Sequence, residues 1–333
     1  MSFPVIKQIK RELLLAFLAL LGTLLISLKP GDSVEATNFS VAPLFQQVSS
    51  YETTIGDRGD PADIYFPVSK PKTDTKLLPI ALFLQGTFVD KSNYSEFASI
   101  VARYGFVVVV PNNLNDVLVP FGFPEGFFSE QEQVNQVLDY MKEENRHPDS
   151  PVFKLLDPSK LVLLGHSSGG VVGLNAIQGT CILPYCKSEF TRPKELVGGA
   201  FYGSNFNLLG QFEQTPTIEN DGIPIVTLAG VLDGLATFDS VKETYNQIQK
   251  PPKSFISIIG ANHYSITNTN NPVGTVPDRN TPTIDQNVGI ETLARWVALF
   301  LRANILQDKD AFNYVYRVGD SFDSNVSVIN RVH

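Results

Sequence analysis

The chain has 333 residues, of which 43% are hydrophobic and 18% charged, and a formal net charge of −8 at pH 7. This balance describes a globular protein with a large core and excludes a disordered chain, while the negative charge disfavours nucleic acid and anionic membrane surfaces as partners. No Gly-x-Gly-x-x-Gly, Walker or paired Cys-x-x-Cys motif occurs, and the four histidines leave little material for a zinc site, so neither cofactor nor metal is expected.

Lys7, Lys10 and Arg11 precede an apolar stretch from Leu13 to Leu28, which Lys29-Pro30-Gly31 ends. Val34-Glu35-Ala36 then supplies small residues suited to cleavage. The stretch is shorter than the ~20 residues that span a bilayer, yet apolar on all faces, unlike a helix packed on a core. It is read as an export signal or, uncleaved, as a membrane anchor, which would give the protein a membrane association. Residues 1–36 are therefore set apart, and the mature protein is expected in the periplasm, outside the cell or in a thylakoid lumen.

From residue 37 onward, apolar runs alternate with helical patterns. The spacing predicts strands at Ala62–Val68, Ile80–Gln85, Phe106–Pro111, Lys160–Leu164, Val197–Tyr202, Ile223–Ala229 and Phe255–Ile259. Between them, Tyr94–Tyr104, Ser129–Glu144, Gly169–Gln178 and Asp239–Lys250 are long enough for crossover helices, and Val288 to Ile305 forms a last amphipathic helix. Short Val/Ile/Leu runs separated by helices indicate a mostly parallel sheet buried on both faces. Residues 37–333 are read as one α/β domain, with Phe312-Asn313-Tyr314-Val315-Tyr316 in the tail as a candidate edge strand.

The strand at Lys160–Leu164 runs into Gly165-His166-Ser167-Ser168-Gly169. This fits Gly-x-Ser-x-Gly, the sharp strand-to-helix turn that lifts a serine hydroxyl off the end of a sheet. Side chains two positions either side of the serine would collide, hence the glycines. Strand, turn and helix in this order are those of the α/β-hydrolase fold, with Ser167 as nucleophile.

An alcohol is hardly ionised at neutral pH, so Ser167 needs a base and an orienting acid. In this fold they follow the serine, each on a loop after a later strand. His263 follows Phe255–Ile259, whereas His147 precedes the serine, His166 belongs to the turn and His333 ends the chain. Asp233 follows Ile223–Ala229, whereas Asp239 lies in the next helix and Asp221 before the strand. A plain turn-forming or capping role for Asp233 stays open. The backbone N–H groups of Ser168 and of Thr87, in the loop Gly86-Thr87-Phe88-Val89, are the expected oxyanion donors, with Phe88 as the neighbouring alternative to Thr87.

Cys181 and Cys186 lie close together after the turn's helix and form a local disulfide if the protein is exported, or two half-buried thiols otherwise. The segment from Val117 to Phe128 places Phe121, Phe123, Phe127 and Phe128 in a Gly/Pro-rich loop. With Phe88, the rings of Phe121 and Phe123 are candidates for an apolar substrate pocket; packing on the core is the alternative. Phe206 and Phe212 add to a preference for a hydrophobic ester.

Phe83-Leu84-Gln85-Gly86-Thr87, Ser92-Asn93-Tyr94 and Tyr104-Gly105-Phe106-Val107-Val108-Val109-Val110-Pro111 resemble the chlorophyllase family. Its corresponding segments carry a His-Gly-Phe turn, an Asn-Ser-x-Tyr stretch and a Gly-Phe-Ile-Val-Val-Ala-Pro strand. The serine turn resembles the family's Gly-His-Ser-Arg-Gly-Gly box, and Asn262-His263 fits its histidine loop. The resemblance spans roughly residues 50–305 and implies a cofactor-free α/β hydrolase that cleaves the phytyl ester of chlorophyll with Ser167, Asp233 and His263. Two positions depart from it: Ser168 stands where the family has arginine, and Gln85 where it has histidine. A general secreted carboxylesterase or lipase is the alternative, and a non-catalytic binding protein on the same fold the remote one.

Overall fold

Consecutive residues of a strand face opposite sides of its sheet, and this places the layers. On the strand Leu196–Tyr202, Gly198 faces Leu301 and Ile305 while Gly199 faces Ile177. The sheet is thus covered on both sides, as its nearly unbroken apolar strands require. The protein is described by a computed structural model over residues 41–68, 77–207, 210 and 212–331. The expected export signal or anchor at residues 1–36, the Phe121 side chain and His333 lie outside the described residues. Among the described residues no helix is long and apolar enough to cross a membrane.

Among the described residues of the compact unit Ser40–His333, nine strands form one sheet. They are β1 (Val48–Ile55), β2 (Asp60–Pro67), β3 (Leu78–Leu84), β4 (Val107–Pro111), β7 (Leu156–His166), β8 (Leu196–Tyr202), β9 (Ile225–Gly230), β10 (Lys253–Ile258) and β11 (Val326–Arg331). A separate two-stranded ribbon joins β5 (Leu114–Asn115) to β6 (Gly126–Phe127). The order across the main sheet is β1-β2-β4-β3-β7-β8-β9-β10-β11. From β4 to β10 all neighbours are parallel. β2 runs antiparallel to β1 and β4, and β11 runs antiparallel to β10. This is the expected α/β-hydrolase architecture.

The crossover helices are α1 (Ser95–Arg103), α2 (Glu132–Glu144), α3 (Ser168–Gln178) and α4 (Phe238–Gln247), followed by α5 (Gln286–Ile305). Their starts follow local chemistry: Asp285 accepts from the Asn287 and Val288 amides, and Thr237 from that of Ser240. α3 is buried along its length except at Gln178. All five residues of β4, Val-Val-Val-Val-Pro, are buried, and each valine contributes about 2 kcal/mol by leaving water.

The tail differs from expectation. Phe312–Tyr316 is not an edge strand: Lys309–Asn313 is helical (α6) and Tyr314–Val318 continues as a π-helical turn. Asp308 caps this helix through the Asp310 and Ala311 amides, and Tyr314 packs on Trp296 with ring centres 5.1 Å apart. The edge strand is formed further on, by β11.

Candidate active site

The carboxyl ends of the parallel strands gather the candidate residues, the end at which open α/β sheets bind their ligands. β7 ends at His166, and Ser167 then adopts φ 55° and ψ −124° before α3 begins. A side chain at such a backbone costs on the order of 1–3 kcal/mol and points out of the sheet's end. The flanking glycines are required by close backbone approach. A Cβ on Gly165 would lie 2.7 Å from the Gly170 Cα, and one on Gly169 would lie 2.1 Å from the Leu84 carbonyl oxygen. The Ser167 amide donates to the Tyr202 carbonyl at the end of β8, at 2.9 Å.

Gly203, the residue after β8, lies beside both other candidates. A Cβ there would sit 3.0 Å from Asp233 Oδ2 and 3.2 Å from His263 Nδ1. Asp233 Oδ2 accepts from His263 Nδ1 at 2.8 Å, with the aspartate side chain 0% and the histidine side chain 4% exposed. The other carboxylate oxygen, Oδ1, accepts from the amides of Leu235 and Ala236 at 2.9 and 2.8 Å. Asp233 therefore forms its turn and hydrogen-bonds the imidazole at once. A charged acceptor on Nδ1 fixes the proton there and leaves Nε2 as the basic nitrogen.

The loop after β3 is stapled from several directions. Buried Gln85 donates to the Val89 carbonyl at 2.9 Å and accepts from the Asn113 amide at 3.2 Å. Asn112 accepts from the Lys91 amide and donates to Asp90, both at 2.7 Å. The two amides weighed for the oxyanion are distinguished by their partners. The Phe88 N–H is consumed by the Phe127 carbonyl at 2.7 Å, at a left-handed φ of 64°. Among the described residues none accepts from the Thr87 N–H. The hydroxyls of Thr87 and Ser168 share a hydrogen bond of 2.8 Å, which ties this loop to the first residue of α3.

The phenylalanine loop divides between both readings. Phe128 is buried and stacks on Tyr185, with ring centres 5.8 Å apart, so it belongs to the core. Phe123 is 44% exposed and stands 6.1 Å from the ring of Phe88, beside Thr87. Phe206 is buried. Cys181 and Cys186 are joined in a disulfide. Among the described residues no group of three or more His, Cys, Asp or Glu side chains could hold a metal ion.

Residues 51–181 match the family model described as Chlorophyllase. Over this segment the chain is similar to that family. The matched segment runs from β1 to just past α3, so it includes Ser167, Ser168 and Thr87 but ends before Asp233 and His263. No curated protein matches the chain.

The sequence assigned no role to three residues of this candidate site. Asp278 is buried, and its Oδ2 accepts from the amides of His263 at 2.9 Å and Gly234 at 3.1 Å, clamping the His263 backbone to the Asp233 turn. Only the turn-like Pro277-Asp278-Arg279-Asn280 hinted at it, with Asp278 Oδ1 accepting from the Asn280 amide at 2.8 Å. Tyr94 and His166, fully buried, touch one another through a hydrogen bond of 3.0 Å between the phenol and Nδ1.

Proposed function

We propose that this protein is a serine carboxylic-ester hydrolase that acts on an apolar ester through an acyl-enzyme on Ser167. The observation that carries the reading is the buried Asp233–His263 pair at 2.8 Å, set against the same β8 turn that fixes the amide of a left-handed Ser167.

In the proposed mechanism His263 Nε2 takes the Ser167 proton as Oγ attacks the ester carbonyl, and Asp233 stabilises the imidazolium that forms. The carbonyl oxygen gains negative charge and receives the amides of Thr87 and Ser168. The C–O bond to the alcohol then breaks, and the imidazolium protonates the departing oxygen. Water, deprotonated by His263, attacks the acyl-enzyme; the acid leaves and Ser167 regains its proton. Every proton removed is returned, so no cofactor is consumed.

The phytyl ester of chlorophyll is the substrate proposed from the family match, and the half-exposed Phe88 and Phe123 rings beside Thr87 suit a long hydrocarbon. A second reading, a general exported carboxylesterase, is favoured by one observation: at Ser168 a hydroxyl bonded to Thr87 stands where the family carries arginine.

Two measurements test these readings. A fluorophosphonate probe is expected to modify Ser167 alone, as read by peptide mass; an unmodified Ser167 with the fold intact would reject ester hydrolysis. Incubation with chlorophyll, followed by solvent partitioning, is expected to move the green macrocycle to the polar phase. Rapid turnover of p-nitrophenyl esters without that movement would favour the second reading. Thr87→Val removes the hydroxyl link but not the amide, and a drop of about tenfold in kcat is expected as the oxyanion loop loosens, with KM nearly unchanged. Steady-state kinetics on p-nitrophenyl butyrate checks it.

A further inference from the structure

His166 is a titratable side chain at the reaction centre that the proposed mechanism does not use. It is 0% exposed, and its ring centre lies 4.7 Å from that of His263. Its Nε2 faces the His263 carbonyl oxygen at 3.0 Å. A carbonyl only accepts, so Nε2 carries the proton. Burial first, and the neighbouring His263 second, hold the imidazole well below its usual pKa, and the ring is neutral. Its Nδ1 is then an acceptor, and the Tyr94 hydroxyl, 3.0 Å away, must donate to it. The Tyr94 oxygen in turn accepts from the Gly86 amide at 3.0 Å.

The directions of all three bonds are thus determined: Gly86 N–H to Tyr94 Oη, Tyr94 O–H to His166 Nδ1, His166 Nε2–H to the His263 carbonyl. They connect the turn that carries Thr87, the residue before Ser167 and the backbone of the base. The two bonds of His166 join residues 72 and 97 positions apart.

We propose that Tyr94 and His166 are positioning residues, a buried relay that sets the oxyanion turn and the His263 backbone in register with each other. The inference rests on the proposed function for its effect on rate, but the relay itself is a property of the resting protein. Each member is satisfied by one orientation only, so losing one leaves a buried donor or acceptor unpaired and frees the turn or the base loop to shift. Displacements of this kind on the order of 1 Å cost up to ~100-fold in rate.

The test compares wild type with Tyr94→Phe, His166→Leu and His166→Gln. Glutamine keeps one acceptor and one donor at a spacing close to that of the two ring nitrogens, whereas leucine keeps neither. On p-nitrophenyl butyrate, Tyr94→Phe and His166→Leu are expected to lose roughly tenfold to a hundredfold in kcat with KM within about twofold, and His166→Gln to recover most of the loss. In ¹⁵N-labelled protein the His263 amide resonance is expected to move in Tyr94→Phe, although Tyr94 does not touch it. A folded Tyr94→Phe protein with an unmoved His263 amide and wild-type kcat overturns the relay. So does His166→Gln falling as far as His166→Leu. If His166→Leu does not fold, Tyr94→Phe decides. A wild-type protein without esterase activity, but with the His263 resonance moved by Tyr94→Phe, would reject the proposed function and leave the relay standing.

Discussion

Ser167→Ala is expected to lower kcat/KM on p-nitrophenyl butyrate by at least ~10⁴-fold while the protein stays folded. In the proposed mechanism this oxygen is the attacking atom, and alanine supplies none. What remains is the acceleration due to the oxyanion amides and to binding, commonly ~10³–10⁴ over water. Stability separates this loss from unfolding. At φ 55° and ψ −124° a Cβ is strained whatever it carries, so alanine inherits the strain of serine and the melting temperature should change little. Ser167→Gly relieves the strain of roughly 1–3 kcal/mol and adds ~0.5–1 kcal/mol of chain entropy to lose. A net gain of about 1 kcal/mol is therefore expected, with the same loss of activity. Thermal unfolding of the three proteins, read beside their kinetics, checks both halves. Wild-type rates in Ser167→Ala would remove the nucleophile from the proposed mechanism.

The parts of this protein that could be read from sequence are those whose signal is local. Each predicted parallel strand lies where its apolar run does, because burial on both faces leaves few polar positions within it, such as Thr227 in β9; Phe106–Pro111 and β4 differ by one residue. Edge strands lack that signature. β1, Val-Ser-Ser-Tyr-Glu-Thr-Thr-Ile, pairs only with β2 and is mostly exposed or half-buried, so its composition reads as loop. β11 is missed for the same reason. The aromatic Phe312–Tyr316 segment misled in the opposite direction, since its rings pack as a helix against Trp296 and α5.

The candidate site divides along the same line. Serine turn, acid and histidine are recognisable because each follows a strand in a fixed order, a one-dimensional rule. Their supports are not recognisable in this way. Gln85 meets Val89 and Asn113, Asp278 meets Gly234 and His263, and His166 spans Tyr94 and His263. Apart from Gln85–Val89, such bonds join residues 15 or more positions apart through polar side chains with no periodicity, so only the folded chain shows them. The difference between the Thr87 and Phe88 amides also required the fold: both are equivalent in sequence, and only the structure shows that the Phe88 N–H is taken by the Phe127 carbonyl.

Asp233→Asn separates the two duties that the structure gives this carboxylate. The asparagine oxygen can still accept from the Leu235 and Ala236 amides, as Oδ1 does at 2.9 and 2.8 Å, so the turn and the fold should survive. Its NH₂ group then faces His263 Nδ1, a donor against a donor. The ring resolves the conflict by moving its proton to Nε2, and Nδ1 accepts from the amide instead. Nε2 can no longer take the Ser167 proton, and kcat is expected to fall by ~10⁴-fold with a nearly unchanged melting temperature. Asp233→Ala loses both duties: the same fall in rate should come with a destabilisation of about 1–2 kcal/mol from the lost turn. Asp239→Ala, beyond the turn on α4, should leave the rate within about twofold. The rates on p-nitrophenyl butyrate and the melting temperatures of the three variants form one experiment. If Asp233→Asn kept more than about a tenth of wild-type kcat, the aspartate would be a turn residue alone, and the acid of the proposed mechanism would have to be sought elsewhere. Asp278, whose Oδ2 holds the His263 amide at 2.9 Å, would then be the first candidate.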